Sequence, residues 1–201
     1  MAETLDVMIA ELLAARLCHE LVSPVGAIAN GVEILEDEPD FAGDAIALIG
    51  LSARNAARRL QFYRVSYGST SPLADVLFNA AVTDFFSESK IVFEWRIAIL
   101  PPGAGKLACN LLLVAAEALP RGGRITLDAG EGGGIAVTAA GEGVRLAEPI
   151  AALLGEPAVA DQLSPRTVQA AFTAALAARM HWKVEIAHAT VNELRLVGKE
   201  K

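Results

Sequence analysis

Cysteine, histidine and positive charge are all scarce in this sequence of 201 residues. It holds three histidines and two cysteines, Cys18 and Cys109, which cannot build a disulfide framework and are too few for a structural zinc site. The 17 basic residues are outnumbered by 24 acidic ones, and a net charge of −7 argues against nucleic acid as the main partner. Hydrophobic residues make up 53% of the chain, enough to build a core.

The sequence also lacks an uninterrupted apolar run of the roughly 18–20 residues that a membrane-spanning helix needs. Its first residues, MAETLDVMIAELLAARL, carry acidic side chains where a signal peptide needs a basic segment. We therefore predict a cytoplasmic protein without a membrane partner.

Residues 1–68 have the pattern of two long amphipathic helices. Apolar residues recur every three or four positions from Leu5 to Leu35 and again from Ile46 to Tyr67. The segment EDEPD separates the two stripes, and Asp40 is a candidate N-cap for the second helix. A connection this short makes the helices antiparallel, and a lone hairpin with two wide stripes buries too little surface. We therefore predict a homodimer in which two hairpins form a four-helix bundle.

A different pattern begins after GSTSP at 68–72, which has the composition of a linker. Helical and β-rich segments then alternate: a helix at about 72–87, the strand-like KIVFEWRIAIL, the helix KLACNLLLVAAEAL, strands in RITLDA and GIAVTAA, helices near 147–154 and 165–180, and a closing hairpin of KVEIAHA and NELRLVG. Mixed elements of this kind predict an α/β sandwich over 72–201, with one sheet covered by helices.

His19 lies on the first helix, and its position on that helix is unusual for a buried residue. At 100° per residue it points 200° away from both Leu17 and Leu21, so it faces solvent if they face the core. Pro24 removes a helix hydrogen bond to the Glu20 carbonyl one turn back, and we expect the helix to bend there. Mostly small neighbours on the same face would allow another protein to approach closely: Leu12, Ala15, Arg16, Val22, Ser23, Gly26 and Asn30.

The string His-Glu-Leu-Val-Ser-Pro at 19–24 resembles the H-box of histidine kinase dimerisation domains, which usually reads H-E-L-R-T-P. An unprotonated imidazole nitrogen is a good nucleophile near neutral pH, and its phosphorylation gives a labile phosphoramidate. His19 is therefore the candidate phosphoryl acceptor. Glu20, a second candidate catalytic residue, could hold the other ring nitrogen, or it could be a solvated surface acid. An ordinary surface histidine beside a tolerated proline is the alternative for His19.

The second region resembles the ATP-binding domain of the same kinases, with its nucleotide motifs degraded. NLLLVAAEALP looks like the N-box: Asn110 matches the first asparagine, but the metal-binding one is Val114. AAGEG keeps the glycines of the adenine motif as Gly141 and Gly143 but has Ala139 in place of the aspartate. The lid aligns with SPRTVQA, which lacks glycine. We therefore expect no ATP and no metal to bind, and PPGAGK at 101–106 does not fit a P-loop either.

Over nearly its whole length the sequence is similar to the ChpT-type histidine phosphotransferases of α-proteobacteria, most strongly in LAARLCHELVSPVGAI, SARNAARRLQFYRVSYG and EALPRGG. This resemblance implies a dimeric helical hairpin, like the dimerisation domain of histidine kinases, followed by a degenerate kinase-like (Bergerat-type) α/β sandwich. It implies transfer from the receiver of a hybrid sensor kinase, through His19, to cell-cycle response regulators of the CtrA and CpdR type. Mg²⁺ would come only with the receiver. Arg16, Arg54 and Arg58 could complement an acidic receiver surface.

Two other functions are compatible with the sequence. An ATP-dependent histidine kinase would require nucleotide motifs hidden by divergence. A scaffold that binds receivers without transferring phosphate would leave the histidine string without a role. Nucleotide binding separates the first alternative from a phosphotransferase, and phosphorylation of His19 separates the second.

Overall fold

The structure, a computed structural model, describes residues 2–68, 72–155 and 158–201, without the side chains of 2–4 and 72–77. Six α-helices lie in these ranges: α1 (Ala2–Asp37), α2 (Ala42–Tyr67), α3 (Pro72–Phe86), α4 (Ala104–Glu117), α5 (Glu148–Gly155) and α6 (Val168–Arg179). Five strands accompany them: β1 (Ile91–Trp95), β2 (Gly123–Ala129), β3 (Ile135–Ala140), β4 (Trp182–Ala189) and β5 (Glu193–Glu200). Residues 69–71 of the predicted linker lie outside the described residues.

Helices α1 and α2 form the predicted antiparallel hairpin. They approach closely at Gly31, where an added Cβ would lie 2.6 Å from Ile49 Cγ1. Asp40 is not the N-cap of α2, because residues Pro39–Phe41 form a 3₁₀ turn and the helix starts only after Phe41. Proline fixes the backbone angle that a 3₁₀ turn needs, so Pro39 starts this turn ahead of the helix.

The five strands form one sheet in the order β1-β2-β3-β5-β4, with β1 parallel to β2 and all other pairs antiparallel. In β2, Ile125 and Leu127 point to one face and are fully buried; Thr126 between them is also buried, while Arg124 is exposed. The buried face packs against α4, which is apolar almost all round, and its residues from Ala104 to Ala115 are mostly buried. The predicted sequence of elements and the fold class are therefore confirmed.

The end of α2 is built into the core of the second region. Phe62, Tyr63 and Val65 belong to the same hydrophobic cluster as α4 and the sheet, and Phe62 stacks on Phe85 with ring centroids 4.0 Å apart. A smaller cluster joins Ile9 and Leu13 of α1 to Val168 at the start of α6. The boundary after residue 68 stays a prediction, but the two regions share core side chains across it.

By length and composition alone, α1 from Leu5 to Asp37 could cross a membrane. A helix that spans lipid and a helix that packs within a protein can pass this test equally well. In this structure α1 packs on α2 and, through Ile9 and Leu13, on α6. Its apolar side chains therefore have protein partners along part of its length.

Candidate phosphotransfer site

His19 is exposed on α1, as its position relative to Leu17 and Leu21 predicts. Its side chain borders a cleft of about 490 Å³ between the hairpin and the corner at which α3 leads into β1. The hairpin contributes residues of both helices, including Ser23, Asn55 and Arg59. The opposite wall comes from the second region: Asp84, Phe85, Phe86, Glu88, Ser89, Ile91 and Ala116. An imidazole at the edge of such a cleft is accessible to another protein.

Glu20 turns away from His19 and toward α2. Its carboxylate forms an ion pair with Arg59, and both side chains are about one-third exposed. Tyr63 lies next to this pair, and burial, with the negative charge of Glu20 adding to it, raises the pKa of Tyr63 to about 12. The carboxylate thus has a partner other than the imidazole, which differs from both alternatives for Glu20, a group that holds the second ring nitrogen and a solvated surface acid.

Arg16 is not a free surface charge, contrary to the docking role predicted for it. Its Nη2 lies 2.6 Å from Glu117 Oε1 at the end of α4, and the two side chains are only 19% and 24% exposed. Burial raises the pKa of Glu117, and Arg16 opposes that shift. The pair joins α1 to the second region. Leu12 is also part of such a contact, since it packs against the cluster of Ile9, Leu13 and Val168.

The remaining residues predicted for docking lie at the surface. Ala15, Val22, Ser23, Asn30 and Arg54 are exposed, and Gly26 is half-buried with open space where a Cβ would be. Arg58 is 26% exposed and pairs with Glu88 of the second region at 2.9 Å. Ser23 and Arg58 line the cleft together with His19. The structure therefore brings together only some members of the predicted set.

Arg59 and the wall formed by Asp84, Glu88 and Ser89 were not predicted from the sequence. The segment DFFSES at 84–89 shows only a helix end with aromatic residues, and nothing local indicates that it faces His19. Arg59 follows Arg58 directly, but at 100° per residue the two point in different directions. Only the packing of α3 on α2 brings these residues to the cleft.

The side chains at the positions of the degraded nucleotide motifs are buried or hydrogen-bonded within the fold. Val114 and Ala139 are fully buried in the core. The amide of Asn110 donates to the backbone oxygens of Ser66 and Lys106 at 2.9 and 2.7 Å, and its Oδ1 accepts from Gln169 Nε2 at 2.8 Å. Gln169 comes from the segment aligned with the lid. Two motifs that hold nucleotide in kinases are here bonded to each other.

The other candidate groups lie apart from the cleft. His181 follows α6 with a positive φ of 59°, and His188 lies on the edge strand β4, 3.9 Å from Glu193. Cys18 is exposed and Cys109 is buried. Within the ranges that the structure describes, no three His, Cys, Asp or Glu side chains cluster in a way that could hold a metal ion.

Comparisons with known proteins identify the family of the chain. The family described as the histidine phosphotransferase C-terminal domain matches residues 78–191. The protein phosphotransferase ChpT of Brucella abortus (strain 2308) is 36% identical over 194 residues, which cover 91% of each chain. A solved structure of a bacterial phosphotransferase superposes with a TM-score of 0.81 at 33% identity, over 95% of each chain.

Proposed function

The chain belongs to the histidine phosphotransferase family, and we propose that it accepts the phosphoryl group on His19 in a multistep phosphorelay. The donor is the phosphorylated aspartate of a hybrid sensor kinase receiver, and the acceptors are aspartates of response regulators. The observation that carries this proposal is the exposed imidazole of His19 at the edge of a cleft with walls from both regions.

The transfer follows from the chemistry of the two side chains. An unprotonated ring nitrogen of His19 attacks the phosphorus of the aspartyl phosphate in line. The phosphorus–nitrogen bond forms as the bond to the aspartate oxygen breaks, and the aspartate leaves as a carboxylate. The reverse attack by a second receiver's aspartate regenerates the imidazole. Mg²⁺ in the acidic pocket of each receiver would offset the phosphoryl charge, and this chain contributes mainly position.

The receiver docks over the exposed face of α1 and into the cleft. Ala15, Val22, Ser23, Gly26 and Asn30 offer little bulk or charge around His19, which lets a receiver approach closely. Arg54 is exposed on α2 and can meet an acidic receiver surface. Arg59 also lines the cleft and is about one-third exposed, but its charge is paired with Glu20, so Arg54 is the arginine that we propose for this contact.

The phosphoryl group does not come from ATP in this proposal. The amide and carbonyl groups of Asn110 are both committed to internal hydrogen bonds, and an apolar Val114 stands where the metal ligand would be. A carboxylate acceptor for adenine is replaced by Ala139. These features favour a phosphotransferase over an ATP-dependent histidine kinase.

The functional unit is a cytoplasmic homodimer. Large apolar side chains stay exposed along the hairpin: Val25, Val32, Leu35, Ile46 and Leu60 are each 38–60% accessible. Leu60 also borders an apolar groove together with Leu17 and Leu21. A second hairpin would cover this surface in a four-helix bundle. Response regulators of the CtrA and CpdR type, which control the cell cycle, are the acceptors we propose.

Incubation with a phosphorylated receiver tests the proposal. Wild-type protein should gain an acid-labile, base-stable phosphoryl group that a second receiver removes, and His19→Ala should gain none while it stays folded. Labelled ATP, in a parallel reaction, should leave the wild type unlabelled. If the His19→Ala variant still becomes phosphorylated while the His181→Ala or His188→Ala variant does not, the phosphoryl-accepting histidine lies in the second region. Binding of the receiver without any transfer would support a scaffold instead.

A further inference from the structure

A chain of buried and partly buried hydrogen bonds joins the hairpin to the second region at the end of α2. Tyr67 Oη donates to Gln169 Oε1 at 2.6 Å, and Gln169 Nε2 donates to Asn110 Oδ1 at 2.8 Å. Asn110 Nδ2 then returns to the backbone of α2 at the Ser66 oxygen, 2.9 Å away. Gln169 and Asn110 are fully buried. The three side chains thus link α2, α6 and α4 in one closed circuit.

Two further contacts reinforce this circuit. Lys106 Nζ donates to the backbone oxygens of Tyr67 and Gly68 at 3.1 and 2.8 Å, which satisfies carbonyls that have no partner within α2. The ring of Tyr67 packs edge-to-face on Phe172 of α6, with centroids 5.5 Å apart. Buried polar groups that lose such partners are costly, so the circuit favours one fixed arrangement of the three helices.

We propose that Tyr67, Gln169 and Asn110 are positioning residues that hold α4 on the hairpin and thereby fix Ala116, the α4 residue in the far wall of the His19 cleft. The inference rests on the proposed function, because it concerns the docking of the receiver that His19 reacts with. It also gives the retained N-box asparagine a role in this chain: Asn110 binds the hairpin of its own chain.

Helix α4 carries the effect from the circuit to the cleft. Asn110 lies on the same helix as Ala116, which lines the cleft, and Glu117, which pairs with Arg16 of α1. Ala116 lies six positions after Asn110 on this helix, a rise of about 9 Å. Loss of the circuit releases the middle of α4 from α2 and α6, so Ala116 is no longer held at one distance from His19. Receiver binding then weakens, while the imidazole itself is unchanged.

The test removes the directional bonds but keeps the apolar volume. Tyr67→Phe, Gln169→Leu and Asn110→Leu are combined, because apolar replacement of all three side chains leaves the Ser66 backbone oxygen as the one group of this circuit that loses its partner. The KM for the phosphorylated receiver should rise about tenfold, equivalent to about 1.4 kcal/mol, with kcat within about twofold of the wild type. The rate at which phosphoramidate, a small phosphodonor, phosphorylates His19 should not change.

Tyr67→Phe alone provides a milder variant in case the combined one does not fold, and its KM should rise about threefold. Thr126→Val is the matched control: Thr126 is buried on β2, and its hydroxyl donates to Asp128 Oδ2 of the same strand at 3.0 Å. An unchanged KM in the Tyr67 variant, an equal rise in Thr126→Val, or a parallel fall in the phosphoramidate rate would each overturn the inference. If neither the phosphorylated receiver nor phosphoramidate phosphorylates the wild-type protein, the proposed function itself is rejected.

Discussion

Replacement of Arg16 by alanine should destabilise the fold far more than replacement of a surface arginine. The guanidinium lies 2.6 Å from the Glu117 carboxylate, and both side chains are only about one-fifth exposed. Breaking a fully buried ion pair by removal of one partner costs about 3–5 kcal/mol, whereas an exposed pair contributes about 0–1 kcal/mol. For this mostly buried pair we expect Arg16→Ala to lower the free energy of unfolding by about 2–3 kcal/mol.

Urea unfolding, followed by circular dichroism, measures this loss. Arg54→Ala is the control, since Arg54 is exposed, and it should stay within about 0.5 kcal/mol of the wild type. The double variant Arg16→Met/Glu117→Leu should recover most of the stability, because no charge is then left buried. If Arg16→Ala is no more destabilising than Arg54→Ala, the ion pair does not hold α1 to the second region and the reasoning is wrong.

Three further outcomes are expected. The pKa of Tyr63 is about 12 in the folded state and about 10 when unfolded. The stabilisation that this difference gives is therefore complete below pH 10 and is lost as the pH rises to 12. In urea unfolding, Tyr63→Phe should reduce the fall in unfolding free energy between about pH 10 and pH 12 by about 2–3 kcal/mol. Gly26→Leu should stay folded and slow receiver transfer, whereas Gly31→Leu should lower the unfolding free energy by about 1–3 kcal/mol, because its side chain meets Ile49. Sedimentation equilibrium should give a dimer, and Leu60→Ala should raise its dissociation constant about 30-fold, because a half-exposed leucine on each of two copies contributes about 2 kcal/mol in total. A monomeric wild type at micromolar concentration would contradict this.

Most of the fold could be predicted because its signals are local. The three- and four-residue apolar spacing of α1 and α2, and the short β-rich segments bounded by glycine and proline, each depend on neighbouring residues. The exposure of His19 followed from the same helical geometry. Asp40 was placed wrongly because Pro39 favours a 3₁₀ turn over the cap that the aspartate alone suggests.

The partners of charged residues could not be predicted in the same way. Arg16 and Glu117 are 101 positions apart, and neither sequence neighbourhood indicates the other. The same holds for Arg58 and Glu88, and for Gln169 and Asn110. Helical periodicity assigns a side chain to a face, but packing of the second region decides whether that face meets solvent. Arg16 and Leu12 therefore shared the predicted face with His19 and yet became interface residues.

The single cleft at His19 has a kinetic consequence for the relay. In the proposed relay, donor and acceptor receivers occupy the same place on a protomer, so one has to leave before the other enters. Transfer through such a site follows ping-pong kinetics, in which the phosphorylated protein is a free intermediate between two half-reactions. An excess of unphosphorylated acceptor then competes with the donor for His19. Because each half-reaction can run in either direction, the concentrations of the receivers set the direction of phosphate flow.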